Sequence, residues 1–166
     1  MTEPATAPFA GPDRVLSVSA IRPGPVRIPL APNFFWTRGY YVRLGRYADQ
    51  LVVMAYDTGL PTATLYRRYL AYVSGSVTSA LLHADSSSRL LVGIPTYKET
   101  GLMHRAGVET PENALLGVVA GLRGLGPRGT FEGVALYAEW TTDPVDWAVY
   151  ERLWRGRPDP EAETSR

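Results

Sequence analysis

The 166 residues are 45% hydrophobic and 20% charged, with Lys+Arg 17 against Asp+Glu 16 and a net charge of +1. This is the composition of one globular domain, and charge spread so evenly offers no basic face to nucleic acid or to an anionic membrane surface. The chain has no cysteine and two histidines, His83 and His104. Disulfides, thiolate zinc sites and thiol nucleophiles are therefore excluded, and neither a metal nor a cofactor is expected.

Residues 1–13, rich in Pro, Ala and Thr, read as a flexible leader, and residues 156–166 as a flexible tail. The leader lacks the basic and apolar regions of a secretory signal, and no run of about 18 apolar residues offers a membrane span. As written, the chain is expected in the cytoplasm, or outside the cell if an upstream segment is missing. Residues 14–155 form the folded domain.

Four apolar runs, Val15–Ala20, Gln50–Tyr56, Leu90–Pro95 and Gly133–Tyr137, show little polar alternation and suit parallel strands covered on both faces. A helical pattern follows each. Thr37 can cap a helix with Tyr40, Tyr41, Leu44 and Tyr47 on one side. From Thr62 to Leu82 an apolar stripe of Tyr66, Tyr69, Leu70, Val73, Val77 and Leu81 runs over five turns. Thr110 with Pro111, and Asp143 with Pro144, are N-cap and first-turn pairs, and Gly124 or Gly126 stops the third helix.

Strand and helix thus alternate four times, which implies an α/β fold with a parallel sheet and right-handed crossovers. A doubly wound sheet expects a glycine-rich phosphate loop after its first strand, but here Ile21-Arg22-Pro23-Gly24-Pro25 follows, and its prolines present no free N–H groups. An eight-unit barrel needs roughly 200 residues. Four βα units, half of a (β/α)8 TIM-type barrel, fit the length.

The second run ends abruptly in Tyr56 and Asp57, where barrels place their working groups. The alternative is that Asp57 caps the following loop while Tyr56 fills the core. Met54-Ala55-Tyr56-Asp57 resembles the Met-x-Tyr-Asp signature on the sixth strand of glycoside hydrolase family 18, the chitinase-like enzymes. Leu91-Val92-Gly93-Ile94-Pro95-Thr96-Tyr97 resembles that family's seventh strand. Gly133-Val134-Ala135-Leu136-Tyr137-Ala138-Glu139-Trp140 resembles its eighth, which ends in tryptophan. The likeness spans residues 14–155 and corresponds to strands five to eight. The family's Asp-x-x-Asp-x-Asp-x-Glu motif, which ends in the general acid on the fourth strand, occurs nowhere in the chain.

In that family the substrate's own acetamido group assists hydrolysis, outside the two-carboxylate scheme. The resemblance implies that Tyr56 orients the acetamido oxygen, Asp57 contacts the same sugar and Trp140 forms a floor beneath the ring. None of these protonates a leaving group. Tyr97, at the end of the third run, joins them as a substrate-binding candidate. In a regular strand Glu139 points away from Trp140, as a structural carboxylate paired with Arg152 or else as a ligand contact. The long segment Tyr97–Glu109 lies on the same side; its His104 is a candidate ligand contact, with a solvated loop histidine as the commoner outcome.

The function expected on this basis is the sugar-orienting half of a family 18-like hydrolase acting on an N-acetylhexosamine-containing glycan. The alternatives are a non-catalytic carbohydrate-binding protein and a purely structural one. The partners implied are a carbohydrate and either an N-terminal half-barrel or a second copy, because inner side chains such as Val18, Val53 and Leu136, or their immediate neighbours, need covering.

Overall fold

A computed structural model describes residues 14–24, 36–125 and 130–156. Except for Gly156, the expected leader and tail lie outside the described residues. The order is β1 (Ser17–Ile21), α1 (Arg38–Leu44), β2 (Gln50–Met54), α2 (Ala63–His83), β3 (Arg89–Pro95), α3 (Pro111–Leu122), β4 (Phe131–Tyr137) and α4 (Pro144–Tyr150). A 3-10 turn over Glu139–Thr141 precedes α4, and a π-helical turn over Glu151–Arg155 follows it.

The strands form one parallel sheet in the order β1-β2-β3-β4. Nowhere does this order reverse, so the crevice that a doubly wound sheet opens at its switch point is absent from the described residues. Right-handed crossovers in this order place every helix on the same face.

Local chemistry explains the helix starts. The side chains of Thr37, Thr62 and Thr110 accept from the N–H groups of Tyr40, Leu65 and Asn113. Asp143 and Asp146 form a reciprocal capping box at α4. Tyr47, expected on α1, lies beyond its C-cap Gly45 and is exposed.

The covered face carries Ala20, Leu51, Val53, Leu90, Val92 and Ile94, all fully buried among Tyr66, Leu70, Val73, Leu115 and Val118 of the helices. Val18 and Leu136 also pack on this cluster, so Val18, Val53 and Leu136 face the helices and their neighbours form the other face. Strands with apolar residues on both sides carry no period that tells one face from the other.

On that second face, register lines up Ser17, Gln50 and Arg89 at the base, then Ser19, Val52, Leu91 and Gly133, then Ile21, Met54, Gly93 and Ala135. The base is a polar chain. Ser17 Oγ donates to Gln50 Oε1 at 2.9 Å, Gln50 Nε2 to Glu132 Oε2 at 3.1 Å, and Arg89 Nη1 pairs with Glu132 Oε1 at 3.0 Å. Val52, Met54, Leu91 and Ala135 above it are half-buried, and no described helix covers them.

The helix layer is held by an unusually close approach of α2 to α3. A Cβ on Gly121 would lie 2.2 Å from the Ala71 carbonyl oxygen, and one on Gly117 would lie 2.6 Å from that of Arg67. Backbone cannot yield as a side chain can, so only glycine fits.

Candidate functional site

Buried tyrosines on the helices secure the C-terminal ends of the first two strands. The Tyr41 hydroxyl donates to the Ile21 carbonyl, Tyr66 to Ala55 at 3.1 Å and Tyr69 to Pro23 at 2.8 Å. Burial pushes all three phenols well above their ordinary values, so they act as neutral donors. Arg22 Nη1 donates to the Tyr56 carbonyl at 3.0 Å, tying the exits of β1 and β2.

Above these ties, Tyr56, Asp57, Tyr97 and Trp140 come together at one end of the sheet, as expected. They line a cleft of about 340 Å³ with Glu99, Tyr137, Ala138 and Thr141. The rings of Tyr56 and Tyr137 stack at 4.9 Å with 5° between their planes. Tyr97 stands edge-on to both, at 6.3 and 6.1 Å. Trp140 meets Tyr137 edge-to-face at 6.3 Å and remains 80% exposed.

Gly93 makes room for this stack, since a Cβ there would sit 3.3 Å from Cε1 of Tyr56 and 3.2 Å from the Val53 carbonyl oxygen. Partial burial, with Tyr137 and Asp57 alongside, raises the Tyr56 phenol to about 12. It is a hydrogen-bond donor across the neutral range.

Asp57 has φ 54°, in the left-handed region that few residues other than glycine adopt. This turn brings its Oδ1 under the Tyr97 hydroxyl, which donates to it. The same oxygen lies 3.5 Å from His104 Nδ1. Burial first, then the hydrogen bond to Asp57, pushes the Tyr97 phenol far up, so its proton stays on oxygen.

His104 is 4% exposed, which overturns the expectation of a solvated loop histidine. Its ring packs against Tyr97 at 4.1 Å, beneath the cleft, and it is not among the lining residues. The cause is Glu109, whose Oε1 accepts from Thr58 N at 3.0 Å and Thr58 Oγ1 at 2.8 Å, clamping the β3–α3 loop onto the β2–α2 loop. His104 is folded inward between them.

Glu139 is placed differently from expectation. The strand ends at Tyr137 and the chain turns into the 3-10 segment, so Glu139 is exposed and absent from the cleft lining. Arg152 pairs instead with Glu112 at 3.1 Å. The hydroxyls of Thr96, Thr141 and Thr142 gather around the Ala138 carbonyl, at 2.7, 2.8 and 3.0 Å, as one hydrogen-bonded cluster, and fix the turn that presents Trp140.

Sequence reasoning missed two members of this end of the sheet. Tyr137 alternates with Ala135 on the uncovered face, and that placement needed the register. Glu109 immediately precedes the Thr110 N-cap, where an acidic residue reads as helix-dipole complement; only the fold reveals its clamp.

Among the described residues no helix is long and apolar enough to cross a membrane. No protein-family model, curated protein or solved structure matches the chain.

Proposed function

We propose that the cleft binds a carbohydrate, and that the sheet is the C-terminal half of a family 18-like barrel which orients an N-acetylhexosamine unit without supplying a general acid. The observation that carries this reading is the exposed Trp140 set beside the stacked Tyr56–Tyr137 pair, with the Asp57 carboxylate at the same opening. Sugar rings present C–H faces to aromatic planes and hydroxyl or amide groups to carboxylates and phenols. Trp140 would supply the floor, Tyr56 would donate to the acetamido oxygen, and Asp57 and Tyr97 would hold the same unit. These are positioning and charge-orienting roles.

The half-barrel part of the reading rests on the sequential strand order and on the layered residues of the uncovered face, which correspond to the inward layers of a closed barrel. Both β1 and β4 are edge strands, so closure requires a second copy or a separate N-terminal half.

Titration with N-acetylglucosamine oligomers, followed by tryptophan fluorescence, tests the binding. We expect saturable binding that Trp140→Ala weakens at least tenfold, about 1.4 kcal/mol, and no hydrolysis above background by this chain alone. Absence of saturable binding overturns the carbohydrate reading. Turnover by the chain alone that Asp57→Ala abolishes overturns the missing acid.

A further inference from the structure

Beneath the cleft, Asp57, His104 and Glu109 each offer one ligand atom, and these atoms lie within 4.8 Å of one another. His104 Nδ1 is 3.5 Å from Asp57 Oδ1 and 3.5 Å from Glu109 Oε2. Neither His104 Nδ1 nor Glu109 Oε2 has a hydrogen-bond partner, although both are buried, with side-chain exposures of 5% and 0%. Polar atoms so thoroughly removed from water, and converging on one point, need something to satisfy them.

We propose that Asp57, His104 and Glu109 form a binding site for a first-row divalent cation of the Zn²⁺ type. Two carboxylates and a neutral imidazole carry the charge that a divalent ion neutralises, and an N/O donor set suits this class of metal. Ligand bonds of about 2.0–2.2 Å in a tetrahedral arrangement separate donor atoms by about 3.3–3.6 Å; both histidine–carboxylate pairs show 3.5 Å, while the three atoms together span up to 4.8 Å, so an ion would draw the two loops slightly together. His104 Nε2 is also buried without a hydrogen-bond partner in the protein.

Outer contacts orient the carboxylates as metal sites require. Thr58 occupies Glu109 Oε1 through its N–H and hydroxyl and leaves Oε2 facing the imidazole. The Tyr97 hydroxyl holds Asp57 Oδ1. Three protein ligands leave a fourth position, and Asp57, half-exposed and lining the cleft, marks the side from which an ion or a fourth ligand enters. Nothing in the chain order announces a metal here, because no second histidine stands near His104 and the two carboxylates come from separate loops.

The inference does not rest on the carbohydrate reading, and its test uses no sugar. Chelator-treated protein is titrated with Co²⁺ under visible absorption and with Zn²⁺ under calorimetry, alongside thermal unfolding with and without Zn²⁺. We expect a single equivalent bound, intense visible bands for Co²⁺ and a higher Tm with Zn²⁺. Asp57→Asn, at the half-exposed position, and His104→Gln should each weaken binding by more than the 10- to 100-fold that loss of an outer partner costs. Glu132→Gln, at the opposite end of the sheet, should leave it unchanged. No stoichiometric binding, or binding that survives Asp57→Asn in a protein that still unfolds cooperatively, overturns the site.

Discussion

The two faces of the sheet are built on different principles. On the helix side, every large side chain from β2 and β3 is fully buried, and the nearest helix pair touches backbone to backbone through Gly117 and Gly121. On the other side, a polar chain at the base gives way to half-buried aliphatics and then to an aromatic mouth. The first face is closed by the chain itself, so its stability is local property. The second is complete only at its base, where Ser17, Gln50, Arg89 and Glu132 satisfy one another, and it becomes progressively less self-sufficient toward Tyr56 and Trp140.

The largest effect should come from the covered face. Leu90→Ala removes a fully buried side chain and should cost about 2–5 kcal/mol in denaturant unfolding. Val52, in the adjacent register position on the uncovered face, is half-buried, and Val52→Ser should cost about 1 kcal/mol if no other chain packs there. A cost for Val52→Ser close to that of Leu90→Ala, vanishing on dilution, would instead reveal a second copy covering this face.

A smaller loss is expected at the helix contact. Gly121→Ala places a methyl against the Ala71 backbone, and the displacement of α2 from α3 should cost about 1–3 kcal/mol by the same measurement. An unchanged midpoint would mean that the helices separate freely.

The smallest effect concerns the exposed rim. The hydrogen bond from Lys98, followed by those from the Asp146 and Val145 N–H groups, holds the Asp143 carboxyl below its ordinary 3.8, while Asp143 holds the Lys98 ammonium above its ordinary 10.5. The carboxylate's contribution is therefore present above pH 3.8 and disappears as pH falls through the lowered value. That of the ammonium is present below 10.5 and disappears as pH rises through the raised one. The cap on α4 should hold across the whole interval. Protection of the Val145 and Asp146 amides, measured relative to their intrinsic exchange rates, should be lost only at its acidic end, and Lys98→Gln should move that onset to higher pH.

Much of the fold is legible in the sequence because its signals are local. Thr62, Thr110 with Pro111 and Asp143 with Pro144 each mark a helix start within one turn, and the apolar stripe of α2 keeps its period from Tyr66 to Leu81. Strand positions were equally plain, but their facing was not: in a run such as Leu51-Val52-Val53-Met54 nothing alternates, and only register shows that Leu51 and Val53 meet the helices. The site divides in the same way. Tyr56 and Asp57 stand at a strand exit and can be read from the strand end, whereas Tyr97 and Trp140 enter through the segments that carry the resemblance. His104 and Glu109 sit in an aperiodic loop whose burial depends on Thr58, 51 residues from Glu109 in the chain. Glu139 escapes the strand alternation because the strand ends at Tyr137 and the threonines around the Ala138 carbonyl turn the backbone aside.

The sequential strand order also bears on how the chain is made. Each strand pairs only with the strand before it and the strand after it, so no early segment must wait for a late one. Among the described residues every pairing closes across a single intervening helix, which keeps the loop entropy of each step moderate. A nascent chain leaving the ribosome can lay down β1 against β2, then add β3 and β4 as each emerges, with the helix layer sealing one side behind the growing edge. The exposed partner edge then travels along the sheet during synthesis, and the aromatic mouth assembles last, when β4 delivers Tyr137 and Trp140 to the already placed Tyr56 and Tyr97.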